Sequence, residues 1–97
     1  MRALHWTRRA SADLAGIQSF IHQDSPHFAS VVVSRLIAAT DRLPAYPESG
    51  RVVPELARSD IREVIHAPYR IVYRLVGVDQ IHILTVHHGA RQFPRLV

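Results

Sequence analysis

Between Gly50 and Arg91 the chain alternates apolar β-branched residues with cations, and this pattern restricts that half of the molecule to a sheet. Four runs read as strands: Gly50–Leu56, Ile61–Ile65, Tyr69–Leu75 and Ile81–Arg91. Each carries Arg or His within an apolar stretch, which a strand built only to fill a core does not need. In the third run Tyr69, Ile71, Tyr73 and Leu75 fall on one face, and Arg70, Val72, Arg74 and Val76 on the other. Ala67-Pro68 and Gly77-Val78-Asp79 are turn signals between runs. Two successive hairpins make an antiparallel sheet.

The first half has the other period. After a short strand at residues 2–6, Ala10, Leu14, Ile17 and Ile21 recur at helical spacing, with Thr7 or Ser11 as the cap. Gln23-Asp24-Ser25-Pro26 is a turn, with Ser25 as N-cap and Pro26 at the first helical position. Ala29, Val32, Val33, Leu36 and Leu43 form the apolar face of a second helix, which Pro44 and Pro47 end. The link between the two is short, so they form an antiparallel hairpin. The expected class is α+β: an N-terminal strand and a helical hairpin packed on a small, mainly antiparallel sheet, in one domain spanning residues 1–97.

Composition narrows the function classes. All 12 basic residues are Arg, and the net charge is +4. Arg grips phosphate or carboxylate through a planar fork, so the surface suits an acidic partner, either nucleic acid or an acidic protein segment. A G+C-biased genome also explains Arg in place of Lys, though not the net charge. Cys is absent, which removes thiol catalysis and disulfides. No apolar run is long enough for a membrane span. The N-terminus lacks a secretory signal pattern, which suits a cytoplasmic protein. His5, His22, His27, His66, His82, His87 and His88 are scattered without zinc-site spacing, so neither a metal nor another cofactor is expected. Phosphate-loop, Ser/His/Asp and dinucleotide signatures are absent.

Six pieces occur in a telling order: Trp6-Thr7 with Ala10-Ser11-Ala12-Asp13-Leu14, Ser25-Pro26, Leu43 through Pro47 to Gly50-Arg51, Arg62-Glu63, Tyr69-Arg70-Ile71-Val72-Tyr73, and His88-Gly89-Ala90-Arg91. In this order they resemble the RelE/ParE family, toxins of type II toxin–antitoxin modules. The resemblance implies a partner, a cognate acidic antitoxin that holds the toxin in a hetero-oligomer. The expected antitoxin-binding residues are Leu14, Ile17, Ile21, Val32, Val33 and Leu36 on the helices.

The resemblance leaves two targets open. RNA-cutting relatives hold the scissile phosphate on arginines and end near a catalytic Tyr. That activity implies Arg62, Arg70, His87, His88 and Glu55 as catalytic candidates on ribosome-bound mRNA. In this chain no Tyr follows Tyr73, and His-Gly-x-Arg resembles the ParE branch, which poisons DNA gyrase. Gyrase is therefore the first expectation, with no catalysis by the chain itself. Its contact residues are expected at Arg51, Arg62, Arg70, Arg74, His88 and Arg91. For each Arg the alternative is an ordinary salt-bridged β surface, and for the histidines a structural bond that fastens the turn. A toxin reduced to binding its antitoxin is a third possibility. Arg70 is expected on a face left open by the helices.

Overall fold

The computed structural model describes residues 1–96. The chain runs β1 (Ala3–Trp6), α1 (Arg8–His22), α2 (Pro26–Ala38), β2 (Arg51–Val52), β3 (Ile61–His66), β4 (Tyr69–Val76) and β5 (Gln80–His88). The five strands form one sheet in the order β1-β5-β4-β3-β2. β1 pairs with β5 in parallel, whereas the other neighbours are antiparallel. The class is the expected α+β.

Both helices start where side chains satisfy their free N–H groups. Thr7 Oγ1 accepts from Ala10 N at 3.2 Å, and Ser25 Oγ accepts from Phe28 N at 3.2 Å. Thr7 also donates to Ile83 O at 2.6 Å, which ties the start of α1 to β5. Asp13 tightens the same seam: its Oδ2 accepts from Thr85 Oγ1 at 2.5 Å and from Val86 N at 3.0 Å. The second helix ends earlier than the prolines suggest, at Ala38. There Thr40 turns its hydroxyl back onto Ile37 O, and i→i+3 turns carry the chain on to Leu43. Leu43 is still fully buried, so the apolar residue was legible although the element holding it was not.

The main core lies between the helices and one sheet face. Ala10 and Leu36 meet Val64, Ile71, Tyr73, Ile81, Ile83 and Val86 there. At the middle of β4 the register slips: Val72 faces Thr85, while Tyr73 faces Ile83. Leu84 is left over and turns to the other face, where a second core forms from Val53, Ile61 and Val72. Phe93 and Leu96 of the C-terminal segment pack onto it. This face is therefore covered rather than open, contrary to expectation. The expected strand over residues 50–56 shrinks to β2, because Pro54 has no N–H to continue the ladder and the chain turns at Val53–Ala57.

Candidate functional site

On the face opposite the helices, β2, β3 and β4 bring Arg51, Glu63 and Arg70 side by side, as strand pairing requires. Glu63 is the centre. Its side chain is fully buried, and its carboxylate takes Arg70 Nε at 2.6 Å, Arg70 Nη2 at 3.0 Å and Arg51 Nε at 2.6 Å. The Arg70 fork closes on a second carboxylate, with Nη1 and Nη2 each 2.7 Å from an oxygen of Glu55. The hydrogen bonds from Arg70 hold the Glu55 carboxyl down at about 2. The Arg70 guanidinium is stabilised in turn by Glu55 and then Glu63. Phe93 caps the arrangement, its ring centroid 5.0 Å from Arg70 Cζ. Only 11 % of the Arg70 side chain is exposed.

Two cations and two carboxylates cancel. The cluster therefore presents little net positive charge to a phosphate, and Arg70 would have to leave both carboxylates to bind one. This corrects the expectation that Arg70 stands free on an open face.

The remaining candidates are dispersed. Arg62 points to the other face and binds backbone only: Ser59 O at 3.1 Å, Glu48 O at 3.3 Å and Gly50 O at 3.1 Å. It pins the loop before β2 and shares no site with Arg70. Arg74 pairs with Asp60 at 3.3 Å, beside Arg58. Arg91 is exposed and reaches a separate cleft against α1. His88 Nδ1 accepts from Ala90 N at 3.1 Å and so fastens the turn after β5. The five arginines thus form no single patch.

His87 sits under Phe93, ring edge to ring face, with centroids 5.4 Å apart. Neither of its buried ring nitrogens has a hydrogen-bond partner. Burial, then the nearby Arg70 charge, pushes its pKa below the ordinary value of about 6.5. A base whose folded pKa is lowered binds fewer protons folded than unfolded. Stability should therefore fall as pH drops below about 6.5, and His87→Leu should flatten that limb of the curve. Thermal midpoints of both chains between about pH 8 and 5 check this; parallel curves would contradict it.

One expected antitoxin contact, Leu36, needs correction, whereas Ile21 and Val33 stay partly exposed outside the core. Leu36 is fully buried, and Leu14, Ile17 and Val32 pack against the main core. Helical spacing marked the inward stripe, which the sheet already occupies. The exposed apolar residues of the hairpin are Phe20, Phe28 and Ile37 instead. Sequence reasoning also left Glu63 and Phe93 out of the site. Glu63 was discoverable as a carboxylate alternating onto a face with Ile61 and Ile65. Phe93 gave little signal, being a lone aromatic beyond the last strand.

Among the described residues no group of His, Cys, Asp or Glu is arranged to hold a metal, and no helix is long and apolar enough to cross a membrane.

Residues 4–93 match the family model described as the ParE toxin of the type II toxin–antitoxin system, parDE. A toxin named RelE2 from Caulobacter vibrioides is 38% identical over 91 residues, covering 94% of this chain and 99% of the relative. Among solved structures, the chromosomal ParDE toxin–antitoxin system from P. aeruginosa superposes with a TM-score of 0.76 at 25% identity, covering 91% of this chain and 96% of that one. The RelBE2 toxin–antitoxin complex from Mycobacterium tuberculosis gives 0.56 at 25% identity, with 93% of each chain covered.

Proposed function

Because the chain belongs to the ParE toxin family of type II toxin–antitoxin systems, we propose that it inhibits DNA gyrase in the cytoplasm and is neutralised by a cognate antitoxin. The observation that carries the choice of target is the state of Arg70. A ribonuclease that cuts by 2′-hydroxyl attack needs a cation free to stabilise charge developing on the phosphate, together with a base and an acid. Here Arg70 is held by Glu63 and Glu55 under Phe93. His88 is engaged by the turn, and both ring nitrogens of His87 are buried. This arrangement supports a binding protein over a nuclease. A gyrase inhibitor acts through its surface, where Arg74, Arg91 and the outer side of Arg51 remain accessible.

Expression of the chain alone should arrest bacterial growth, and co-expression of the product of the adjacent reading frame should restore it. With purified gyrase, the chain should inhibit supercoiling and accumulate cleaved DNA, and it should leave mRNA on translating ribosomes intact. Codon-positioned cuts in that mRNA, with gyrase unaffected, would reverse the assignment in favour of a RelE-like endonuclease.

A further inference from the structure

Beyond β5 the chain crosses the sheet face opposite the helices, where Phe93 and Leu96 pack on Val53, Ile61 and Val72. This strap is attached almost wholly by side chains. Among the described residues no backbone hydrogen bond ties residues 92–96 to the sheet, and the bond from Arg91 N to His88 O only closes the turn before them. What holds the strap is the apolar packing, the Phe93 ring over Arg70 and against His87, and one hydrogen bond from Arg9 Nη1 to Arg95 O. His87 is the anomaly beneath it. A neutral imidazole has one donor and one acceptor, and here both ring nitrogens are buried without partners. The ring fits the site only as an apolar plate. An imidazolium would bring two charged donors to a place that offers no acceptor.

We propose that the contact between His87 and Phe93 is a proton-operated latch: protonation of His87 releases residues 92–96 from the sheet, removes the Phe93 cover from Arg70, and leaves the strands and helices folded. The charges around the ring favour release over a new bond in place. Arg70 of β4 stands opposite His87 in the ladder and repels an imidazolium. Glu63 of β3 and Glu55 of the turn after β2 attract one, but both are held by Arg70. Asp13 of α1 is bonded to Thr85 and Val86. His88 is fastened to Ala90 N, and the connecting segment itself carries only the exposed cations Arg91 and Arg95. A protonated His87 therefore has to reach water, and Phe93 is the cover that can yield. β5 itself is held between β1 and β4, so the strap opens before the sheet does. The direction follows from linkage. The closed form keeps the His87 pKa low, through burial and then Arg70, so it binds fewer protons than the open form, and acid drives opening below about pH 6.5. The acid-side loss of stability expected from His87 thus begins as a local event in the strap.

The chain has three phenylalanines, Phe20, Phe28 and Phe93, and one tryptophan, Trp6. Fluorine NMR of the full chain labelled with 4-fluorophenylalanine therefore reads the strap, while Trp6 emission reads the main core against which that ring packs. Phe93→Leu identifies the Phe93 signal. Between about pH 8 and 5 that signal should move towards those of exposed Phe20 and Phe28, with a midpoint below about 6.5, while Trp6 emission holds. In His87→Leu the Phe93 signal should not move with pH. His87→Gln, which is polar but does not titrate, should behave likewise and keeps the test open if His87→Leu folds poorly. A wild-type Phe93 signal that stays in place overturns the latch. So does one that moves equally in the His87 variants, and so does one that moves only together with Trp6 emission, which would make the acid transition global unfolding.

Discussion

Arg70→Ala should lower the thermal midpoint by roughly 10–20 °C. The reason is the carboxylate left behind. Glu63 is wholly buried and takes two of its three charged hydrogen bonds from Arg70. Breaking a buried ion pair from one side costs about 3–5 kcal/mol, because the remaining charge keeps its desolvation penalty. Arg51 stays on Glu63, so a smaller figure, about 2–3 kcal/mol, is appropriate, and each ~1 kcal/mol moves a domain of this size by roughly 4–8 °C. The Glu55 pair lies nearer solvent and contributes much less. Removing the stranded charge as well should recover part of the loss, so Arg70→Ala/Glu63→Gln should melt above Arg70→Ala. Thermal denaturation of the three chains decides it. An Arg70→Ala midpoint within about 2 °C of wild type would mean that the cluster is not holding β2, β3 and the C-terminal segment together. Lost toxicity in this variant must be read beside its stability, since unfolding alone can produce it.

Gly50→Ala should cost on the order of 3 kcal/mol, although it adds only one methyl group. A Cβ at position 50 would lie 2.6 Å from Glu63 O and 2.6 Å from the Tyr73 hydroxyl. Neither neighbour can yield. The first is backbone of the central ladder. The second belongs to a fully buried ring whose hydroxyl accepts from Gly50 N at 2.9 Å and donates to Pro47 O at 2.7 Å. Pushing the ring aside breaks both bonds and strands a buried amide and a carbonyl. Tyr73→Phe deletes the bonds without the clash and should fall between wild type and Gly50→Ala. Gly16→Ala is the contrasting substitution, since an open helical position should gain stability from Ala. Urea midpoints that rank Gly16→Ala above wild type, then Tyr73→Phe, then Gly50→Ala support this account. Gly50→Ala unfolding at the wild-type midpoint would refute it.

Residues 50–91 disclosed the sheet because alternation is enforced wherever one face packs on helices. Tyr69, Ile71 and Tyr73 had to point together, and they do so against α1 and α2. The caps at Thr7 and Ser25 were equally legible, since a short polar side chain before a helical period has few other roles. What the sequence concealed was the second layer. Phe93 and Leu96 lie beyond any periodic segment, so nothing local announces that they close over β3 and β4. Without that cover the Arg70 face looks solvated, and a cation there looks available. The ion-pair partners were hidden for the same reason. Arg70 could meet Glu55, Glu63 or neither until the register placed it opposite Ile65 and near both. Helical spacing identified Leu14, Ile17 and Leu36 as an apolar stripe, but spacing alone cannot say whether a stripe serves the core or a partner.

The parallel pairing of β1 with β5 also governs when the molecule can exist during synthesis. Ala3–Trp6 must wait for Gln80–Ile83, its ladder partner, before the sheet can close. At about 5–20 residues per second that wait lasts roughly 4–15 s. Until then α1 has no β5 to pack on, and Thr7 and Asp13 lack the groups they bind. The nascent chain therefore lacks its complete sheet through most of its own translation, and long-range closure makes its final folding step slow. An antitoxin that is made first or folds faster would already be present when the last strand docks.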